Sequence, residues 1–446
     1  MEEISAMKNL IAAAVVLMFL TTFSAFAQTK KVYEFTNGQW FDGQNFKKQK
    51  IYSADGFFTN KKPSKIDETI DLKNQFVIPP FADAHTHNLD GTRNLKEIIN
   101  AYLEEGTFYV QVLANYPLGA KQARPFLNKP SSLDVIYANG GLTSTLGHPF
   151  MAYEPRAMGF FDYTKWEANM EKIKLSRIGE NQVYWFLDSK ADVDAKWEKF
   201  AAQKPDIVKI LLLDADNYEK KRTSGKAGDK GLSPEVAEYV VQKAHQAGLR
   251  VYAHVETTND FRLGLKIGVD GFAHSPNYGW NGEIEDKPQD DLTIADLKLA
   301  AKQKVFITPT ANIGRIETTI YADGKEDLQT ERFNRVVERQ KRLFNLMYKN
   351  GVKIIFGSDY YGKTLGVELW YLHENKIFDN RTLLKIAAED TPQAIFPNRK
   401  IGRLKSGYEA SFITLADNPL KNFDTVKKVR LRFKQGFFIE MSKPQN

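Results

Sequence analysis

Cysteine is absent from all 446 residues, which excludes disulfides, thiolate metal ligands, a thiol nucleophile and a lipidated N-terminal cysteine. Any metal must therefore be held through histidine, carboxylate or a lysine-derived group. Histidine is scarce as well, with seven in the chain, so each one that falls at a strand end carries weight. A dominant charge sign is missing: 62 Lys and Arg face 55 Asp and Glu, a net +7. Residues 1–27 carry Lys8 against Glu2 and Glu3, so their removal leaves +8. That excess is diffuse, and no basic run is interleaved with aromatics, which argues against a nucleic-acid surface. With 42% hydrophobic and 26% charged residues, the composition excludes wholesale disorder and suits a large domain plus a smaller one.

Long apolar runs are missing beyond residue 27. The one such run, Leu10 to Ala27, follows Lys8 and ends in Ala25-Phe26-Ala27, the small-residue pattern of a signal-peptidase site. The reading predicts a signal peptide over 1–27, initiated at Met1 or at Met7, with Gln28 first in an exported, periplasmic or secreted protein. Eighteen such residues just suffice to span a bilayer, but the Ala-Phe-Ala end favours cleavage, so stable membrane insertion is not expected.

What is present alternates. Residues 31–80 hold short β-type runs broken by the turn dipeptides Asn37-Gly38, Asp42-Gly43 and Asp55-Gly56, and the C-terminus repeats that texture in ASFITLAD, VKKVRLRFKQG and FFIEM. The expected organisation is a composite β-sandwich domain from 28–80 plus 400–446, around a middle domain at 81–399. In that middle, apolar strand candidates run Phe76 to Ala84, Thr107 to Ala114, Leu133 to Asn139, Ile207 to Leu213, Arg250 to Val255, Gly271 to Ser275, Val305 to Pro309 and Lys353 to Ser358, with helical patterns between most of them. Eight strands with intervening helices predict an α/β fold, a (β/α)8 TIM barrel. The stretch from Leu142 to Asp188 reads as an insertion whose VYWFL run is an extra strand candidate.

Six residues sit at or near the C-terminal ends of those strands, where a barrel gathers its active-site groups. His85 and His87, two apart on a strand, share a face and offer imidazoles to a metal. Asp83 shares that face but lies deeper. Lys209 is the anomaly, being flanked by Ile207, Val208, Ile210 and Leu211. An ammonium has no lone pair for a metal, whereas the carbamate formed with carbon dioxide has two oxygens that can bridge a pair of cations. His254 and His274, 20 residues apart with one helix between, offer an imidazole each to one cavity. Asp359 ends the last strand, where a carboxylate can hold a metal and take a proton from water. Taken singly, each has a bland reading: a solvated histidine pair, a snorkelling edge lysine, a loop carboxylate. The ordered set points to a two-metal hydrolytic site.

At this point the chain resembles the amidohydrolase superfamily. VIPPFADAHTH looks like its first-strand His-x-His motif, and DLKNQFVIP like its usual entry into the barrel. Lys209, His254, His274 and Asp359 match the strand 4, 5, 6 and 8 positions of its carboxylated-lysine, binuclear branch. The tail TPQAIF followed by IGRLKSGYEASFITLADNPL is similar to its return to the small β domain. Within the superfamily, VKILLL, GLSPEVAEYVVQKAHQAGLRVYAH and GVDGFAHS resemble the Xaa-Pro dipeptidase-like and imidazolonepropionase-like members. The resemblance implies two divalent metal ions, expected as Zn2+: His85, His87 and Asp359 on the first, His254 and His274 on the second, carboxylated Lys209 and a hydroxide between. It implies Asp359 as general base and acid. His148, in GGLTSTLGHPF, stands where related sequences carry a substrate-facing Gly-His, with an ordinary loop histidine as the alternative. Pro79-Pro80 and Ser411-Phe412 depart from the family pattern away from the chemistry, while Glu256 replaces a frequent aromatic and weakens the case for a simple dipeptide.

Tyr278, Trp280, Tyr360 and Tyr361 lie just beyond ligand positions, so an aromatic-lined pocket for a small-molecule amide or dipeptide-like substrate is expected. His245 and His373 fall on helical patterns and are read as structural. A lactonase or esterase on the same site, and a non-catalytic exported binding protein of the same fold, are the alternatives; a homo-oligomer is left open.

Overall fold

The apolar runs in the middle of the chain become parallel strands because a barrel strand is buried on both faces and so needs no polar side. A computed structural model describes residues 30–278, 291–322 and 325–441. The signal-peptide expectation over 1–27 and Trp280 lie outside the described residues. Among those residues no helix is long and apolar enough to cross a membrane.

The barrel strands follow in chain order: Phe81–Thr86, Thr107–Val112, Asp134–Tyr137 continued by Gly141–Thr143, Val208–Leu211, Val251–His254, Gly271–Phe272, Phe306–Ile307 and Lys353–Ile354. Each pairs in parallel with the next. The cylinder closes where Ala84 N donates to Phe356 O at 2.8 Å and Asp359 N to His85 O at 2.7 Å. The expected (β/α)8 barrel is therefore the observed architecture. The third strand is split by Asn139 and Gly140, at φ 54° and 108°; Asp206 N still reaches Tyr137 O at 2.8 Å, so pairing to the fourth strand survives the break. The insertion after it forms three short helices, Phe150–Ala157, Thr164–Ala168 and Met170–Leu175, and the strand Tyr184–Phe186, which adds to Gly141–Thr143 in parallel. Buried Glu154 pins this excursion by accepting from Ser176 Oγ, Ile178 N, Gly179 N and Tyr184 Oη.

Helices fall where sequence periodicity places them, including Leu95–Glu104, Lys190–Ala201, Pro234–Gln246, Thr258–Ile267, Ile294–Gln303 and Thr330–Lys349. Ser189, Ser233, Thr257 and Thr293 cap four of them by accepting a backbone N–H three residues on, each cap stabilising its helix by about 1 kcal/mol. An antiparallel hairpin, Thr319–Ala322 with Lys325–Leu328, projects after the seventh strand and has no counterpart in the sequence reading.

Both chain ends meet in one eight-stranded sheet, in the order Phe437–Phe438, Leu431–Lys434, Phe412–Leu415, Phe76–Ile78, Tyr33–Phe41, Phe46–Ala54 and Phe57–Thr59, with Glu68–Asp71 also on Tyr33–Phe41. Its core is aromatic: Phe35 packs on Phe412 and Phe433 with ring centres 5.0 and 5.1 Å apart, and Trp40 on Phe412 at 5.4 Å. Asn37-Gly38 is corrected here. It is not a turn between strands but a bulge within Tyr33–Phe41, Asn37 taking φ 54° so that one extra residue is absorbed and the strand bends. The buried ammonium of Lys434 fastens the sheet to the barrel by donating to Asp134 Oδ1, Lys129 O and Ser132 O at 2.7, 2.8 and 2.6 Å.

Candidate active site

Parallel alignment delivers the six sequence-selected residues to one end of the barrel. His85 and His87 leave the first strand, and their Nε2 atoms lie 3.2 and 3.0 Å from the same oxygen, Oδ1 of Asp359 at the end of the eighth. The ring tautomers follow from their other nitrogens. His85 Nδ1 is 2.9 Å from Ala273 O and His87 Nδ1 3.1 Å from Ala114 O; a carbonyl only accepts, so each Nδ1 carries a proton. Burial and the neighbouring Lys209 and His87 push His85 down to about 3, against the pull of Asp359, so it is neutral at pH 7. Neutral His85, with its proton on Nδ1, thus presents the Nε2 lone pair to that carboxylate oxygen with no proton between them. His85, His87 and Asp359 are the one group able to hold a metal ion, with ligand atoms within 4.8 Å of one another, among the described residues.

The second half of the centre continues from His85. His274 packs on His85 with ring centres 4.9 Å apart and on His254 at 4.5 Å. His274 Nδ1 lies 2.8 Å from Thr310 Oγ1, whose own proton goes to Pro309 O at 2.8 Å, which leaves His274 Nε2 without a proton. Nε2 of His254 is buried with no hydrogen-bond partner, and Glu256 Oε1 is 3.7 Å away. Burial pushes both imidazoles well below the ordinary histidine range, with Lys209 adding to the effect at His254 and His254 itself adding to it at His274. An orphaned imidazole nitrogen in a dry site is costly unless something binds it.

Lys209 is 3% exposed, and among the described residues no hydrogen bond or ion pair answers its ammonium. Burial lowers its pKa from 10.5 to about 7, against the attraction of Asp359. Near neutrality much of it is therefore free amine, the form that reacts with carbon dioxide. For Asp359, burial alone raises the pKa, but His85, His87 and Lys209 outweigh it and hold the carboxyl well below the usual range. The donor set, four imidazoles, a carboxylate and an amine able to become a carbamate, fits a pair of divalent cations bound by nitrogen and oxygen.

Backbone strain marks the same ring of strand ends. Ala114, Thr310 and Asp359 adopt φ 68°, 47° and 46°, the left-handed region that non-glycine residues occupy at a cost of roughly 1–3 kcal/mol. Ala114 and Thr310 are the residues that fix His87 and His274, so the strain is spent on orienting imidazoles. Beneath them, Asp83 ties the first strand to the eighth by accepting from His85 N at 3.1 Å, Ser358 N at 3.0 Å and Ser358 Oγ at 2.8 Å, with Tyr102 Oη at 3.3 Å. Burial lifts Asp83 to about 7 despite the hydrogen bonds from Ser358, His85 and Tyr102.

His148 also reaches the centre, its ring stacked on His254 at 4.7 Å. Burial, with His254 as neighbour, drives it down to about 3. Tyr278 stacks on His274 at 3.9 Å. Tyr361, rather than Tyr360, lies against His87 at 5.5 Å and donates to Tyr153 Oη at 3.2 Å. Tyr153, which also donates to Ala114 O at 3.1 Å, comes from the insertion, and no periodicity or motif singles it out. His245 pairs with Asp270 at 2.9 Å on a helix, and His373 packs on Phe423 at 4.8 Å, both away from the centre.

A family model described as the amidohydrolase family matches residues 76–436. Among solved structures, a Xaa-Pro dipeptidase with methionine bound in its active site is 18% identical at a TM-score of 0.67, the match covering 92% of this chain and 100% of that one. Ochratoxinase from A. niger is 15% identical at 0.68, covering 92% and 96%. Phenylurea hydrolase B is 14% identical at 0.64, covering 92% and 97%. No curated protein matches.

Proposed function

The chain belongs to the amidohydrolase family, and from that premise we propose that it is an exported, metal-dependent hydrolase cleaving a carbon–nitrogen bond, amide or peptide-like, in a small molecule. The observation that carries the reading is the convergence of the His85 and His87 Nε2 atoms on Asp359 Oδ1, beside a buried, unanswered Lys209. Residues His85, His87 and Asp359 would hold one cation and His254 and His274 a second, with Lys209 as a carbamate between them. When bound, the cations, zinc by preference for this donor set, supply a water acidic enough to attack at neutral pH and polarise the scissile carbonyl.

The rest of the chemistry belongs to the chain. Asp359 stays ionised across the working pH range and can accept the proton of the attacking water on Oδ2, the oxygen farther from His85 and His87. The carbon–oxygen bond forms as that proton leaves the water, and Asp359 then returns it to the nitrogen as the carbon–nitrogen bond breaks. His148, neutral and next to His254, can donate a hydrogen bond to the substrate carbonyl or its end group. Tyr278 and Tyr361 flank the imidazoles with aromatic faces that exclude water and favour a partly apolar substrate. Export rests on the apolar run Leu10 to Ala27 and its Ala-Phe-Ala end.

The test is turnover on a panel of dipeptides including Xaa-Pro, N-acyl amino acids, cyclic amides, phenylureas and lactones. Amine release from at least one nitrogen substrate is expected. Lactone opening alone would convert the reading to an esterase, and silence across the panel would point to a binding protein.

A further inference from the structure

Buried lysines fare differently in this fold: the Lys434 ammonium has three oxygen partners within 2.8 Å, whereas that of Lys209 faces the site described above. Lys230 belongs to neither case. It is 4% exposed, yet among the described residues no hydrogen bond or ion pair reaches its ammonium. Instead it lines a cavity of about 1110 Å3, whose wall includes none of the histidines of the metal-type centre.

Two helix N-termini open on that cavity. Lys190–Ala201 is capped by Ser189, and Pro234–Gln246 by Ser233; both caps and the first-turn residues Ala191 and Val236 line it. The N–H groups of Asp192 and Val236 are taken by the caps and Pro234 has none, so the first-turn donors at this wall are those of Lys190, Ala191 and Glu235, and the helix dipoles favour negative charge there. The acidic residues on the wall are already engaged. Asp188 accepts from Thr145 N and Oγ1 at 2.9 and 2.5 Å, and Asp216 from Asn259 Nδ2 at 2.5 Å. Glu219 pairs with Arg222 at 2.7 Å and Glu235 with Lys190 at 2.8 Å. Burial depresses the Lys230 pKa although Asp229 and Asp188 pull the other way.

We propose that this cavity binds a small oxyanion, a phosphate or carboxylate group, with Lys230 as its counter-charge and the two helix N-termini as donors. The site is distinct from the centre that would hydrolyse the substrate, and it stands whether or not that reading does. It is nevertheless mechanically close, because Lys230 O accepts from His148 N at 2.8 Å, and a Cβ on the preceding Gly147 would come within 2.7 Å of that same carbonyl. An anion held by Lys230 therefore stiffens the loop that presents His148 to His254.

Titration calorimetry of the metal-loaded full chain with inorganic phosphate, and separately with acetate at matched ionic strength, tests this. Saturable binding of at least one probe is expected in the wild type, weakened at least tenfold in Lys230→Met. No saturable binding, or equal binding in the variant, would overturn the proposal, the latter assigning the anion to the metals. Should the variant fail to fold, amine-directed acylation of the wild type read by peptide mass spectrometry decides: the bound probe should protect Lys230 severalfold, and equal labelling with and without it would refute the site.

Discussion

Replacing Lys209 by methionine should stabilise the metal-free protein and cripple the loaded one. Lys209 is buried without a partner, and its pKa falls from 10.5 to about 7; at 1.36 kcal/mol per unit this is on the order of 5 kcal/mol of penalty for carrying charge in the fold, of which relaxation and water entry leave a few. Methionine fills a similar volume at a cost of under about 1.5 kcal/mol, so the metal-free variant should exceed the metal-free wild type by a few kcal/mol at pH 7. The sign with pH follows from proton counting. Between about 7, where the folded lysine titrates, and 10.5, where the unfolded one does, the unfolded chain binds more protons, so wild-type stability rises with pH and the gap closes. Urea unfolding of chelator-treated protein at pH 6 to 10, followed by circular dichroism, measures both. With zinc and bicarbonate added, the order of the two proteins should reverse. A flat wild-type pH response together with a variant no more stable than wild type would refute the claim that this amine is buried for use rather than for packing.

Asp359→Asn should fold and retain some metal while turnover drops by about 10²- to 10⁴-fold, a figure steady-state kinetics reads directly. Asp83→Ala leaves His85 N and Ser358 N without their buried acceptor, while Tyr102 Oη keeps Thr86 Oγ1, and should cost about 2–6 kcal/mol; Asp83→Asn, which keeps one oxygen, should cost less than half of that in the same denaturant titration. Gly357→Ala would set a Cβ 2.5 Å from His85 N and 2.8 Å from Thr308 Cγ2, so His85 must move, and chelator competition should show metal affinity about 10–100-fold weaker.

The barrel was legible because strands such as Val208–Leu211 and Val251–His254 are buried on both faces and advertise themselves as apolar runs, and because polar residues at their ends have few other reasons to be there. Helices were legible from their periodicity, although the capping hydroxyls of Ser233, Thr257 and Thr293 were not singled out. The supporting contacts were not. Ala114, Thr310 and Ala273 hold imidazoles through a carbonyl, a strained hydroxyl and a carbonyl, groups that leave no trace in residue type. Tyr153 arrives from an insertion whose three short helices are fixed by Glu154 rather than by periodicity. Asn37-Gly38 has the composition of a turn and the position of a bulge, a distinction set by strand partners on both sides. Of Tyr360 and Tyr361, both named from the sequence, Tyr361 is the one that lies against His87, a choice that residue type does not foresee.

One titration tests the two-cation centre most directly: turnover of the panel's best nitrogen substrate as zinc is returned to chelator-treated enzyme in bicarbonate. Activity should be absent at the start and climb to a plateau at about two equivalents per chain. Full amide hydrolysis before any metal is added, or a plateau at one equivalent, would contradict the two-cation centre assigned to His85, His87, Lys209, His254, His274 and Asp359.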